Sequence, residues 1–160
     1  MGRDDIRMDD EQVRRTLEEG RVVVLVTNGP RGYPHAMPMF YGIDDDLTLR
    51  FSTYERSQKV RNIERDPKVT LLVEGGEAYD ELHAVMIEGR ARVVRGDLDA
   101  TVETMVEAMR RAGNSMPDAD SLPEAARRAM AGKRVHVLVE PQRFVSFDHQ
   151  KLPKAKTPGA

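Results

Sequence analysis

The sequence predicts a mainly β fold of the α+β kind: a small closed or partly open antiparallel barrel of six or seven strands, flanked by short helices. Three observations predict it. Short stretches alternate in hydrophobicity with period two, turn clusters rich in Gly, Asn, Asp and Pro link most of them as hairpins, and helical spacing appears only in brief segments. A chain of 160 residues has room for one domain around one core. We expect that domain over residues 1–150 and a flexible tail over 151–160, where Pro153, Pro158 and several lysines stand.

Asp9 and Gln12 have the spacing of a capping box, and Val13 and Leu17 then share one face of a helix that Gly20 closes. Val22 to Val26 is a continuous β-branched and leucine run, the pattern of a strand buried on both sides. Asn28-Gly29-Pro30-Arg31-Gly32 is a turn that folds this strand onto the next, Tyr33 to Ile43. That second strand is apolar on both faces, with Ala36, Pro38 and Phe40 on one and Met37, Met39 and Tyr41 on the other. A strand with one solvated face alternates with polar residues, so a partner subunit or a flat apolar ligand must cover the second face. Asp44-Asp45-Asp46 makes a solvated turn, after which Leu47, Leu49 and Phe51 alternate with Thr48, Arg50 and Ser52.

The most informative stretch is FSTYERSQKVRNIERDP, residues 51–67. A strand ends at Thr53, Ser57 is placed to cap a helix, and Asp66-Pro67 stops that helix. Unpaired N–H groups are expected at Gln58, Lys59 and Val60, beside the charges of Arg56 and Lys59. A phosphate or carboxylate there meets donors, the positive end of the helix dipole and two cations.

Val69, Leu71 and Val73 mark a fourth strand, and His83 to Val94 a long fifth with Gly89 as a bend or bulge. Asp97 caps a second long helix, in which Leu98, Val102, Met105 and Met109 form a core-facing stripe. Ser121 and Glu124 read as another capping box, and Gly132 ends the short helix that follows. Val135, Val137 and Val139 alternate as a sixth strand that Pro141 breaks, and Phe144 to Asp148 makes a seventh.

Composition narrows the function. The chain contains no cysteine, which removes disulfides, thiolate nucleophiles, iron–sulfur clusters and cysteine zinc sites. Its four histidines lack metal-ligand spacing, so no metal is expected. A formal net charge of -2 gives no footprint for nucleic acid. No apolar run is long enough to span a bilayer, and the start, MGRDDIRMDD, lacks a signal-peptide core, so a cytoplasmic protein with no membrane association is expected. No catalytic dyad or triad is visible; Tyr41, Tyr79, His83 and Glu88 are the candidates for a proton donor, none of them singled out.

SQKVRNIERDPKVTLLV, with MIEGRARVV and the late VSFDHQKL following in order, resembles the FMN-binding split β-barrels related to pyridoxamine 5′-phosphate oxidase, in particular their coenzyme F420-dependent branch. The resemblance runs from Val22 to about Leu152. It implies a homodimer with a cofactor, F420 or FMN, at the subunit interface, and hydride transfer to a small unsaturated substrate. It also implies that Met37, Pro38 and Met39 line the flat ring, and that Thr53, Ser57, Gln58 and Lys59 hold the phosphate. His35 and Gln58 stand where the oxidase proper has arginines, which weighs against direct pyridoxamine phosphate oxidation. A spread of cations, Arg56, Lys59, Arg61 and Arg65, suits the phosphodiester and carboxylates of the deazaflavin tail. A non-catalytic flavin- or haem-binding protein on the same fold is the alternative.

Overall fold

The computed structural model describes residues 3–153. Its helices are α1 (Asp10–Glu19), α2 (Gln58–Arg65), α3 (Leu98–Arg111) and α4 (Glu124–Ala131). Its strands are β1 (Val22–Asn28), β2 (Pro34–Phe40), β3 (Gly42–Ile43), β4 (Leu49–Tyr54), β5 (Lys68–Gly75), β6 (His83–Val94) and β7 (Arg134–Asp148). All seven strands form one sheet in the order β2-β1-β5-β6-β7-β4-β3, antiparallel throughout.

Chain connectivity dictates the curl of this sheet. β2 and β3 lie at its two opposite edges, yet only Tyr41 separates them in the chain. The edges therefore meet at that corner, and the sheet rolls into a half-barrel. Tyr41 is fully buried, and its hydroxyl donates to the Leu17 carbonyl at 2.6 Å. The Arg111 guanidinium lies 4.5 Å from its ring centroid and donates to the carbonyls of Leu17 and Gly20. Burial raises the Tyr41 pKa, and Arg111 offsets part of that rise. From α3, Glu107 accepts the Ile43 N–H at 3.0 Å and pairs with Arg50. The Tyr41 hydroxyl is thus engaged in this corner.

The inner faces carry the core: Val23 and Leu25, Leu49 and Phe51, Leu71 and Val73, Val85 and Ile87, and Val135, Val137 and Val139. Val13 and Leu17 of α1 and Val60 and Ile63 of α2 close the ends. The capping box of α1 forms as expected, with Asp9 and Gln12 each accepting the other's backbone N–H.

Several expectations are corrected. β1 is buried on one face only: Val23 and Leu25 are enclosed, whereas Val22 is 41% exposed and Val24 and Val26 are half-buried. Pro141 does not break the last strand, because it sits opposite Gly89 at a register shift where the ladder is already irregular. The result is a single β7. On α3 the buried residues are Thr101, Val102, Thr104, Val106 and Ala108, while Met109 is exposed. The helix turns small polar side chains inward because it covers the outer side of β4 and β7, where Arg50 and His136 stand. Ser121 does not cap α4; its hydroxyl donates to the Asp118 carbonyl, and Pro123 takes the cap position. Lys151 donates to the Arg7 carbonyl and to Gln12 Oε1, and positions 154–160 of the expected tail lie outside the described residues.

Among the described residues no helix is long and apolar enough to cross a membrane, and no group of three or more His, Asp or Glu could hold a metal ion.

Candidate functional site

β2 is the least covered strand of the sheet. It pairs with β1 on one side and with nothing on the other, and its residues from Pro34 to Phe40 are all exposed or half-buried. Its inward row, in register with Thr27, Leu25 and Val23, is His35, Met37 and Met39. Its outward row, Ala36, Pro38 and Phe40, continues into Val26, Val24 and Val22 of β1, then Leu72 of β5, Met86 of β6 and Val145 of β7. Pro38 fits here because an edge strand needs no donor on its open side.

The strand facing that open edge is β4. Gly42 pairs with Arg50 and Ile43 with Leu49. Extending this register through Tyr41 would set Met39 against Thr53, Met37 against Glu55 and His35 against Ser57, where the sheet has no ladder. The barrel is split along this line. Of the candidate residues, His35, Met37 and Met39 lie on the inward row of β2, Thr53 near the end of β4 and Ser57 at the cap of α2, and His35 and Gln58 line one cleft. Pro38, also on β2, belongs to the outward row.

At the far end of the split lies the amino end of α2. Ser57 holds the cap position with extended backbone, but its side chain makes no capping bond. Its Oγ is buried without a hydrogen-bond partner, as is Nδ1 of His35. Buried polar atoms are mostly satisfied, and a polar ligand at this end of the fold would give these two a partner. Lys59 reaches back to donate to Thr53 Oγ1 at 3.1 Å, and burial lowers its pKa. The cause is desolvation of the ammonium, which an anion placed beside it would offset. Arg61 is exposed on the next turn.

Arg95, after β6, has no motif of its own and was invisible in the sequence. It binds Glu55 at 2.8 Å and Glu64 at 2.5 Å, so both of these carboxylates are already paired. The amino end of α2 is left with Arg56, Lys59 and Arg61. A cleft of about 240 Å³ runs between Gln58, His35 and the turn at Gly29–Arg31. A larger cavity, about 720 Å³, lies away from the split between residues 7–14 and 142–146. Two of its three arginines, Arg14 and Arg143, already pair with Glu18 and Glu88.

The remaining proton-donor candidates are engaged elsewhere. Glu88 pairs with Arg143, His83 Nδ1 meets the Glu81 carbonyl, and Tyr79 lies 75% exposed against His149.

Fold and crevice together define a split β-barrel with an anion-compatible opening at one end. The chain belongs to the pyridoxamine 5′-phosphate oxidase family, whose model matches residues 9–145. It is 32% identical to the conserved hypothetical protein Rv2991 from Mycobacterium tuberculosis, with a TM-score of 0.80 over 98% of this chain and 96% of that one. An F420 reductase shares the fold at 24% identity, TM-score 0.63, over 82% and 94% of the two chains. So does the haem storage protein HutZ from Vibrio cholerae, at 13% identity, TM-score 0.63, over 87% and 96%. No curated protein sequence matches the chain significantly.

Proposed function

We propose that this protein is an oxidoreductase that binds coenzyme F420 or FMN in the β2–β4 crevice of a homodimer and reduces a small unsaturated substrate. The observation that carries the reading is the pair of buried, unpartnered atoms, Ser57 Oγ and His35 Nδ1, at the same end of the fold as the partly desolvated Lys59 ammonium. These are the features an acidic cofactor tail would complete. The apolar row of Met37 and Met39 suits a flat ring, and the outward row through Pro38 and Phe40 suits a second copy of the chain.

Bound there, the cofactor supplies hydride transfer. The protein's own groups do the rest. Lys59, Thr53, Ser57 and Gln58 hold the anionic group, and Arg61 lends charge to an extended tail. Met37 and Met39 exclude water from the crevice. Gln58 and His35, in place of two arginines, favour a ligand whose charge is spread over one concentrated in a single phosphate. The F420 reductase among the structural neighbours supports the deazaflavin. The protein is taken to act in the cytoplasm.

One observation favours a second reading. An unpartnered imidazole nitrogen in an apolar crevice is also what a haem iron binds, so His35 keeps a non-catalytic haem-binding role in view. Adding FMN, F420 and haem separately to purified protein separates the readings. The first expects F420 or FMN to bind with perturbed ring absorption and the reduced cofactor to be reoxidised by an acceptor. Haem binding alone, with no flavin or deazaflavin retained, would replace it with the second.

A further inference from the structure

Asn62 is fully buried on α2, and none of the chemistry above uses it. Its side chain is a junction. Nδ2 donates to Thr27 Oγ1 at 2.9 Å, while Oδ1 accepts from Gln58 Nε2 at 2.8 Å and from Arg65 at 3.2 Å. The direction of this network is fixed by Arg65, because a guanidinium can only donate, so the atom it meets must be the amide oxygen. Nδ2 is then turned to Thr27, which is 1% exposed. Having accepted from Asn62, the Thr27 hydroxyl spends its own hydrogen on the His35 carbonyl, 3.4 Å away. By the same logic Gln58 has to present its nitrogen to Asn62.

We propose that Asn62 is a positioning residue that couples Gln58, at the amino end of α2, to the His35 carbonyl of β2. This rests on the reading that the α2 end receives the anionic part of a ligand. One helix residue thereby holds α2 and β2 at a set relation, and it fixes which Gln58 atoms remain for the ligand: one N–H and Oε1. Three of the four hydrogen-bonding positions of the Asn62 amide are filled without solvent, and buried networks of this kind are rigid.

A double-mutant cycle tests the coupling, with FMN and F420 titrated separately by fluorescence. Asn62→Ala is expected to weaken binding about tenfold in the otherwise native chain, the effect of losing one hydrogen bond's worth of positioning. In a Gln58→Ala background it should weaken binding less than twofold. Equal losses in both backgrounds would overturn the proposal. Should Asn62→Ala fail to fold, Thr27→Val, which removes only the hydroxyl link, goes through the same cycle. A second measurement needs no cofactor: the Gln58 side-chain amide should give a separate, slowly exchanging NMR pair that moves on Thr27→Val. An unmoved pair sinks the relay; a moved pair in a protein that binds neither cofactor supports the relay and sinks the cofactor reading instead.

Discussion

His136 lies on the outer side of β7 beneath α3, 4% exposed, with neither ring nitrogen hydrogen-bonded. Burial lowers its pKa, and the nearby Arg50 guanidinium adds to the effect. An unfolded imidazole titrates near 6.5, roughly. Below that pH the unfolded chain takes up a proton that the folded chain refuses, so stability falls from about pH 6.5 down to the lowered folded pKa. Melting followed by circular dichroism should show this acid-side loss between about pH 7 and 5, and His136→Leu should flatten it. Lys59 makes a different prediction, because its ammonium faces the split. Lys59→Ala should weaken F420 or FMN binding by roughly tenfold to a hundredfold, from about 1.5–3 kcal/mol for a hydrogen bond to a charged group. Its melting temperature should change little, since the lost cation was itself partly desolvated. Unaltered affinity in the fluorescence titration would mean that the anion seat is misplaced.

The β6–β7 ladder shows how an element's fate depends on its neighbour. A Cβ at Gly89 would stand 2.8 Å from the Glu140 carbonyl oxygen and 2.9 Å from a Val139 methyl. Gly89→Val should therefore cost about 1–3 kcal/mol by overpacking, measured by urea denaturation. The strand over His83–Val94 was legible because its period-two pattern is long, and the bulge was legible from Gly89. Pro141 misled because a proline reads as a break unless the partner strand is known to be irregular opposite it. The stripe on α3 misled for a related reason: hydrophobic spacing cannot reveal that the helix covers a polar patch of Arg50, Ser52 and His136. At the site, Ser57, Gln58 and Lys59 could be found from the turn-to-helix pattern. Arg95 and Thr27 could not, since their partners lie 31 to 40 residues away, beyond any local signal.

Across the molecule, the apolar outer row from Phe40 and Val22 to Met86 and Val145 runs over five strands, and Phe40 alone is 48% exposed. A continuous face of this kind is what a second copy would bury. For the proposed homodimer, Val24→Lys, at the centre of this face, should leave each subunit folded yet shift sedimentation velocity toward the monomer and lower F420 or FMN retention with it. A monomeric native protein that binds cofactor at full strength would separate the crevice from the dimer. The corner at Tyr41 sets a limit on all of this. Strands β2 and β3 are joined by one residue, held by Leu17 and Arg111, while Glu107 holds the neighbouring Ile43 N–H. The two walls are therefore joined like tongs at a fixed pivot, and the Asn62 links from α2 to Thr27 and the His35 carbonyl tie the jaws at the other end. A single glycine inserted beside Tyr41 would lengthen the pivot by about 3.3 Å and let the jaws slide past each other, so the grip on a thin, flat guest would slacken even though every side chain that touches it had been kept.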